Sequence, residues 1–286
     1  MEKISKTMRV GLIGSGIQRS LTPAMHMAEG HAHGCDYVYE LLDLDLLGGD
    51  AGLLPSLLNQ AEERGFLGLN ITHPCKQSVI PLLDELSEDA STLGAVNTVV
   101  LRNGRRIGQN TDWWGFAEGF RRQLPDADLS NVVQLGAGGA GAATAFAILK
   151  LGAAALTIVD VDPGRAQNLA ETMSRHFPSA AISSAGTLDR AMAAATGLVH
   201  ATPTGMDKHP GLPLPADLLR PDLWVAEIVY FPLETALLAE ARRLGCRVAD
   251  GGGMAVFQAV RAFALFTGIE PEADRMQAHF RSLTAT

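Results

Sequence analysis

Four short stretches carry polar groups that a plain strand–helix junction does not need. "NITHPCK" sets Asn70, Thr72 and Lys76 at the end of an apolar run and the start of a helix. "GAVNTVV" places Asn97 inside an otherwise apolar strand, where an unpaired buried amide is costly. "GQNTDWWG" closes another strand with Asn110, Thr111 and Asp112. "RSLTPAMH" puts Ser20 and Thr22 two apart, and on an extended segment both hydroxyls face the same side and can donate to one anionic group. Thr22-Pro23 also reads as a helix start, with Thr at the N-cap and Pro at the first helical position. Capping accounts for Thr22 and leaves Ser20 unexplained, which hints at a small molecule bearing a carboxylate.

Two glycine clusters follow short apolar runs, "LIGSGIQR" and "VVQLGAGGAGAA". The later one fits a dinucleotide turn. Gly136, Gly138 and Gly141 form G-x-G-x-x-G, with Ala137, Gly139 and Ala140 between them, and an alanine-rich helix follows. The first glycine permits the tight turn, the second lets backbone approach a pyrophosphate, and the third lets helix and strand pack closely. The next strand ends in Asp160, 24 positions after Gly136, where a carboxylate can accept hydrogen bonds from both adenosine ribose hydroxyls. It also repels a 2′-phosphate, so NAD is favoured over NADP, although the nearby Arg165 tempers that preference. The competing account is that Asp160 caps the following helix with Asp162. The early cluster has Arg19 at the sixth position, where a side chain obstructs helix–strand packing.

With NAD bound, oxidising a secondary alcohol requires the protein to hold the carbon and take the hydroxyl proton. A lysine serves if burial or a paired carboxylate tunes it. Lys76 and Asp112 are residues of the right type; by spacing alone, a surface lysine and a helix N-cap aspartate is the simpler account.

The elements that must position these groups read as an α/β chain with two lobes. At 286 residues the chain exceeds what a single core usually fills. "MRVGLIG", "YVYELL", "GLNI" and "AVNTVVL" read as strands of a first lobe, with "PAMHMAEGHA" and "AGLLPSLLNQAEERG" as helices. Asn103-Gly104 between apolar runs marks a hairpin at an edge. A second series, "NVVQLG", "ALTIVD", "GLVHAT", "LWVAEIVY" and "CRVAD", has the continuous apolar character of strands buried on both faces of a doubly wound parallel sheet. The helices "AGAATAFAILKLG" and "GRAQNLAETMSRHF" fill its crossovers. The division expected is residues 1–112, completed by helices in 254–286, and residues 113–253, with hinges near 112–115 and 251–253.

A net charge of −8 argues against nucleic-acid or anionic-membrane partners. No apolar stretch reaches the length needed to span a bilayer, and no signal-peptide pattern opens the chain. Cys35, Cys75 and Cys246 are scattered, as expected of reduced thiols in a cytoplasmic protein. His31 and His33 lack further ligands at metal spacing, so no metal is expected. A monomer or homodimer is the expected state.

Taken together, "SLTPAMH", "GLNITHPCK", "GAVNTV", "GQNTD", "GAGGAG", "ATPTGM", "VYFPLET" and "GMAVFQAVRAFALFTG" resemble the shikimate dehydrogenase family, in order and over nearly the whole chain. The resemblance implies a substrate lobe built from both chain ends, facing a Rossmann lobe across a cleft. It implies that Ser20 and Thr22 hold a substrate carboxylate, that Asn70, Thr72, Asn97, Asp112 and Gln258 grip ring hydroxyls, and that Tyr230 stands near the cleft mouth. Lys76 and Asp112 become the catalytic pair. Thr202, Pro203 and Met206 line the nicotinamide side, with Gly253 close to the ring. NADP-using members end the second Rossmann strand in an Asn-Arg-Thr type stretch; here it reads Asp160-Val161-Asp162, closer to the NAD-preferring quinate/shikimate branch. Dehydrogenases for a related polyol carboxylate such as an aminoshikimate, and non-catalytic quinate-responsive sensors, are the alternatives. Lys76 with Asp112, and the lack of an appended module, disfavour the sensor.

Overall fold

A computed structural model describes residues 7–284. The chain divides into two units, one of residues 1–111 and 258–286, the other of residues 112–257. Among the described residues each unit carries one six-stranded sheet.

The first sheet is formed by β1 (Met8–Gly14), β2 (Tyr37–Asp43), β3 (Phe66–Ile71), β4 (Glu85–Leu86), β5 (Thr98–Arg102) and β6 (Arg105–Gln109), in the order β2-β1-β3-β5-β6-β4. β1 runs parallel to β2 and β3, whereas β5 is antiparallel to both β3 and β6. Asn103 and Gly104 both have positive φ, the geometry of a type I′ turn, so the Asn-Gly hairpin forms as its sequence dictates. It is not left at the edge, because the two-residue β4 pairs outside β6. Asn97 is buried, but it lies one residue before β5 rather than within a strand.

This mixed topology gathers chain ends. The C-termini of the parallel strands β1 and β3 emerge at one end of the sheet. The antiparallel β5 begins at that same end, with Thr98 opposite Asn70, and β6 finishes there, with Gln109 opposite Thr98.

The second sheet contains β7 (Val132–Leu135), β8 (Ala155–Val159), β9 (Ala181–Ser184), β10 (Gly197–His200), β11 (Trp224–Glu227) and β12 (Arg247–Ala249). All pairings are parallel and the order is β12-β11-β10-β7-β8-β9, the doubly wound dinucleotide-fold order. β7, β10 and β11 are buried throughout, as their mainly apolar runs require, with Gln134, His200 and Glu227 the polar residues among them. β9 has no such signature because it is an edge strand, largely exposed and closing on serines.

Both segments expected as hinges are first turns of helices, Asp112–Gln123 and Gly252–Thr267. Within the second unit these helices cross on glycine. A Cβ on Gly119 would come 2.8 Å from the Gly253 carbonyl carbon, and one on Gly253 would come 3.0 Å from the Gly119 Cα. Gly253 therefore has a packing requirement independent of any ligand. Trp113 and Trp114 pack edge-on against Phe146 and Phe257.

Candidate active site

The loop after β1 does not present its backbone to a ligand. Asp43, at the end of β2, accepts hydrogen bonds from the Gly16 and Ile17 N–H groups at 3.1 and 3.2 Å and from the Gln18 amide at 2.9 Å. The Gln18 contact, followed by the backbone donors, holds its carboxyl below the usual carboxylate range. The chain's own carboxylate thus occupies this turn.

The next residues along the chain present hydroxyls. Ser20 is extended, Leu21 is helical and occupies the N-cap position, and Thr22 is the first residue of the helix Thr22–Ala32. Thr22 is therefore not the N-cap, and the two hydroxyls are not aligned by strand alternation. A turn joins the two residues, with the Thr22 N–H 3.4 Å from Ser20 Oγ at the helix N-terminus. Gly14, at the end of β1, makes room for Thr72, since a Cβ there would meet Thr72 Cγ2 at 2.3 Å. The Ser15 N–H donates to the His73 carbonyl at 2.9 Å, tying this loop to the segment that carries Thr72 and Lys76. Lys76 is half-buried on the short helix Cys75–Ser78.

Beside them lies a buried amide–hydroxyl network. Tyr39 donates to Asn70 Oδ1 at 2.8 Å, and Asn70 Nδ2 donates to Thr98 Oγ1 at 3.1 Å. Asn97 Oδ1 accepts from the Thr111 N–H at 2.7 Å and from Thr98 Oγ1 at 3.1 Å, while Asn97 Nδ2 donates to Thr111 Oγ1 at 2.9 Å. These partners fix which end of each amide is oxygen and which is nitrogen. The first unit therefore brings Ser20, Thr22, Asn70, Thr72, Lys76 and Asn97 to one end of its sheet. Gln258, half-buried, sits on the helix Gly252–Thr267.

In the second unit the glycine turn follows β7. Gly136 has φ +102°, and a Cβ there would meet the Ala201 carbonyl oxygen at 2.5 Å; one on Gly141 would meet the Gly136 carbonyl oxygen at 2.3 Å. At Gly138 and Gly139 a Cβ meets nothing within 4 Å. The turn is closed toward the protein and open on the other side. The helix Gly139–Lys150 begins there with Gly138 at its N-cap and no side-chain cap. Buried Gln134 fixes the orientation by donating to the carbonyls of Gly136 and Gly141 at 2.9 and 2.8 Å, and it accepts from Thr144 at 2.8 Å.

Asp160 is drawn into the same turn. Its Oδ2 accepts from the Ala137 N–H at 2.7 Å, and its Oδ1 accepts from the Asp162 N–H at 2.9 Å. The N-cap of the helix Pro163–His176 is Asp162, so capping does not account for Asp160. Arg165 is exposed in that helix's first turn, 3.5 Å from Asp162. Thr202, Pro203 and Met206 lie on the loop after β10, with Met206 41% exposed. Asp112 is buried at the start of its helix. Tyr230 is raised above the ordinary phenol range by burial and by the Asp112 charge. With 39% of its surface open, the Asp112 charge is the firmer of these two causes.

Several participants carry no sequence signal. Tyr39 and Thr98 look like ordinary strand residues, Gln134 and Thr144 like interruptions of apolar runs, and Asp43 like a strand terminus. A buried polar residue inside an apolar run is the available clue; it is taken at Asn97 and passed over at Gln134 and Thr144. Among the described residues no group of three or more His, Cys, Asp or Glu is set to hold a metal ion, and no helix is long and apolar enough to cross a membrane.

Comparison with known proteins adds a family profile, the shikimate dehydrogenase substrate binding domain, which matches residues 12–99. The chain is 58% identical over 279 residues to a shikimate dehydrogenase (NADP(+)) of Streptomyces avermitilis, covering 97% of this chain and 96% of that protein. It is 50% identical over 277 residues to a quinate/shikimate dehydrogenase (NAD(+)) of Corynebacterium efficiens, covering 96% and 98%. Among solved structures it is similar to quinate dehydrogenase from Corynebacterium glutamicum in complex with NAD, at 48% identity and a TM-score of 0.91, covering 96% of this chain and 99% of that one.

Proposed function

The chain belongs to the shikimate dehydrogenase family, and from that premise we propose that it oxidises a ring hydroxyl of shikimate, quinate or both to the 3-dehydro ketone, with NAD as cofactor. The unit of residues 1–111 and 258–286 is assigned to the substrate and the unit of residues 112–257 to the dinucleotide.

The glycine turn fits a dinucleotide. Its inner face has no room for side chains at Gly136 and Gly141, its outer face is open at Gly138 and Gly139, and an uncapped helix N-terminus follows. NAD, when bound, supplies the acceptor for the hydride leaving the carbinol carbon. The chain's own residues do the rest. Ser20 and Thr22 donate to the substrate carboxylate beside a helix N-terminus, which favours an anion. Asn70, Thr72, Asn97 and Gln258 orient the ring hydroxyls, the Asn70 and Asn97 amides held by the Tyr39–Thr98–Thr111 network, and Tyr230 borders the substrate. Lys76 takes the proton of the reacting hydroxyl, with Asp112 as its carboxylate partner. Residues 136–141 cradle the pyrophosphate, Arg165 lies beside the adenosine ribose, and Thr202, Pro203, Met206 and Gly253 face the nicotinamide.

The observation that carries the NAD assignment is the Asp160 carboxylate, pinned in the turn by Ala137. Fixed there, it offers lone pairs to ribose hydroxyls and repels a 2′-phosphate. The relatives are named for both cofactors, so the preference rests on this chain's own residues.

The test is initial rates with shikimate and with quinate, each with NAD and with NADP, for the unaltered protein and for Asp160→Ser. Turnover favouring NAD, with the preference relaxed in the variant, is expected. Faster turnover with NADP, or an unchanged ratio in Asp160→Ser, overturns the NAD assignment; no turnover in any combination overturns the dehydrogenase reading.

A further inference from the structure

Beneath the loop after β10 lies a buried polar relay that the proposed chemistry leaves unused. His200 ends β10, Glu227 ends β11, and the two are register partners in the parallel sheet. Both are buried, at 0% and 2% exposure. His200 Nδ1 lies 2.8 and 2.9 Å from the two Glu227 carboxylate oxygens. The Val229 N–H donates to Oε1 at 2.9 Å and the Thr235 hydroxyl to Oε2 at 3.1 Å. Thr235 in turn caps the helix Ala236–Arg243 by accepting from the Leu238 N–H.

Taking an imidazole and a carboxylate out of water is expensive, and two apolar side chains would fill the centre of a parallel sheet at lower cost. The outward end of the relay supplies a reason. A carboxylate only accepts, so Nδ1 carries the hydrogen and Nε2 faces Thr202 Oγ1 at 2.5 Å. The Thr204 N–H reaches the same oxygen at 3.3 Å. With its hydroxyl held on that side, Thr202 turns its methyl toward the first glycine of the turn, where a Cβ on Gly136 would meet Thr202 Cγ2 at 3.1 Å.

We propose that His200 and Glu227 are positioning residues for the cofactor: the pair fixes the Thr202 rotamer, and through it the loop of residues 202–206 that faces the nicotinamide. This rests on the assignment of that loop to the nicotinamide side. Neither residue touches the substrate or the dinucleotide; they act through Thr202.

The experiment measures NADH affinity of the full chain by nicotinamide fluorescence, alongside thermal midpoint and KM for NAD and for shikimate. His200→Leu and Glu227→Gln should each raise the NADH Kd and the KM for NAD roughly fivefold, the loss of about one net hydrogen bond, with the KM for shikimate unchanged. Thr202→Val should do the same, Thr202→Ser should retain most of the affinity, and adding Glu227→Gln to Thr202→Val should bring little further loss. A lowered thermal midpoint with unchanged NADH Kd in the His200 and Glu227 variants, while Thr202→Val still weakens binding, overturns the relay and leaves the loop assignment standing. An unchanged Kd in Thr202→Val overturns the loop assignment itself. If His200→Leu does not fold, His200→Asn and Glu227→Gln decide the matter, and an unaltered protein that binds NADPH alone is tested with NADPH in the same series.

Discussion

Lys76 is the residue on which the proposed chemistry turns. It is half-buried on a four-residue helix, and its carbonyl accepts from the Val96 N–H at 2.8 Å, which ties it to the segment carrying Asn97. Lys76→Ala should therefore lower kcat by ~10²–10⁴-fold, the usual worth of a placed proton-transfer group, while KM changes much less. Steady-state kinetics decide it: a kcat within a few fold of the unaltered protein removes Lys76 from the proton path. This residue was legible in sequence only beside its neighbours, because one lysine after a strand is ordinarily a solvated side chain. Asn97 was legible alone, since a buried amide in an apolar run demands partners. Of its partners, Thr111 stood out only as part of "GQNTD", and Thr98 did not stand out at all, because threonine is at home in strands and its hydroxyl is cheap to satisfy locally. Likewise, nothing in its own type separates Tyr39 from the neighbouring Tyr37, which bonds instead to His26.

At the scale of elements, the two glycine turns have parallel construction and differ in which face they leave open. Each follows the first strand of a βαβ unit, and each receives a carboxylate from the end of the next strand, Asp43 in one case and Asp160 in the other. In the first, that carboxylate and Gln18 close the turn, and hydroxyl-bearing residues come next. In the second, Gln134 ties down the carbonyls and leaves an open face over an uncapped helix. Arg19 at the third glycine's place sets the first turn apart in sequence, whereas what closes it is the Asp43 carboxylate with Gln18. The two glycine classes in the second turn should separate on substitution. Gly141→Ala forces a Cβ against a backbone oxygen, an overpacking cost of about 1–3 kcal/mol that should lower the thermal midpoint with or without dinucleotide. Gly139→Ala adds a methyl to open space, so it should leave the midpoint of the free protein unchanged and weaken NADH binding. Equal losses of stability in the two variants would show that the open face is not a ligand face.

For the whole molecule, the apolar runs foretold the central strands of both sheets, because a strand covered on both faces can be little else. The edge strands β4 and β9 were missed because, short or exposed, they need no such run. The tail helices were legible, and the structure shows how the last one is held in the first unit. Glu29 of the helix Thr22–Ala32 accepts from Arg275 of the helix Ala273–Thr284, with contacts of 2.7 Å to each carboxylate oxygen. The same unit holds a group that makes its stability depend on pH. His26 is wholly buried among Tyr37, Tyr39, Phe263 and Phe266. Burial penalises the imidazolium and lowers its pKa from 6.5 to about 3. The unfolded chain therefore binds a proton between these values that the folded chain refuses. The stabilising contribution is fully present above pH 6.5 and falls as pH drops toward 3, at a limiting slope of about 1.4 kcal/mol per pH unit. Urea unfolding of the unaltered protein and of His26→Leu at pH 7 and pH 5 isolates this contribution, because every other carboxylate and histidine is common to both. The variant should start less stable at pH 7, having lost the Tyr37 contact, and should lose less on acidification, so the two curves converge by about 2 kcal/mol. Parallel curves would mean that His26 is protonated in the folded protein, and that the aromatic cluster around it admits the charge.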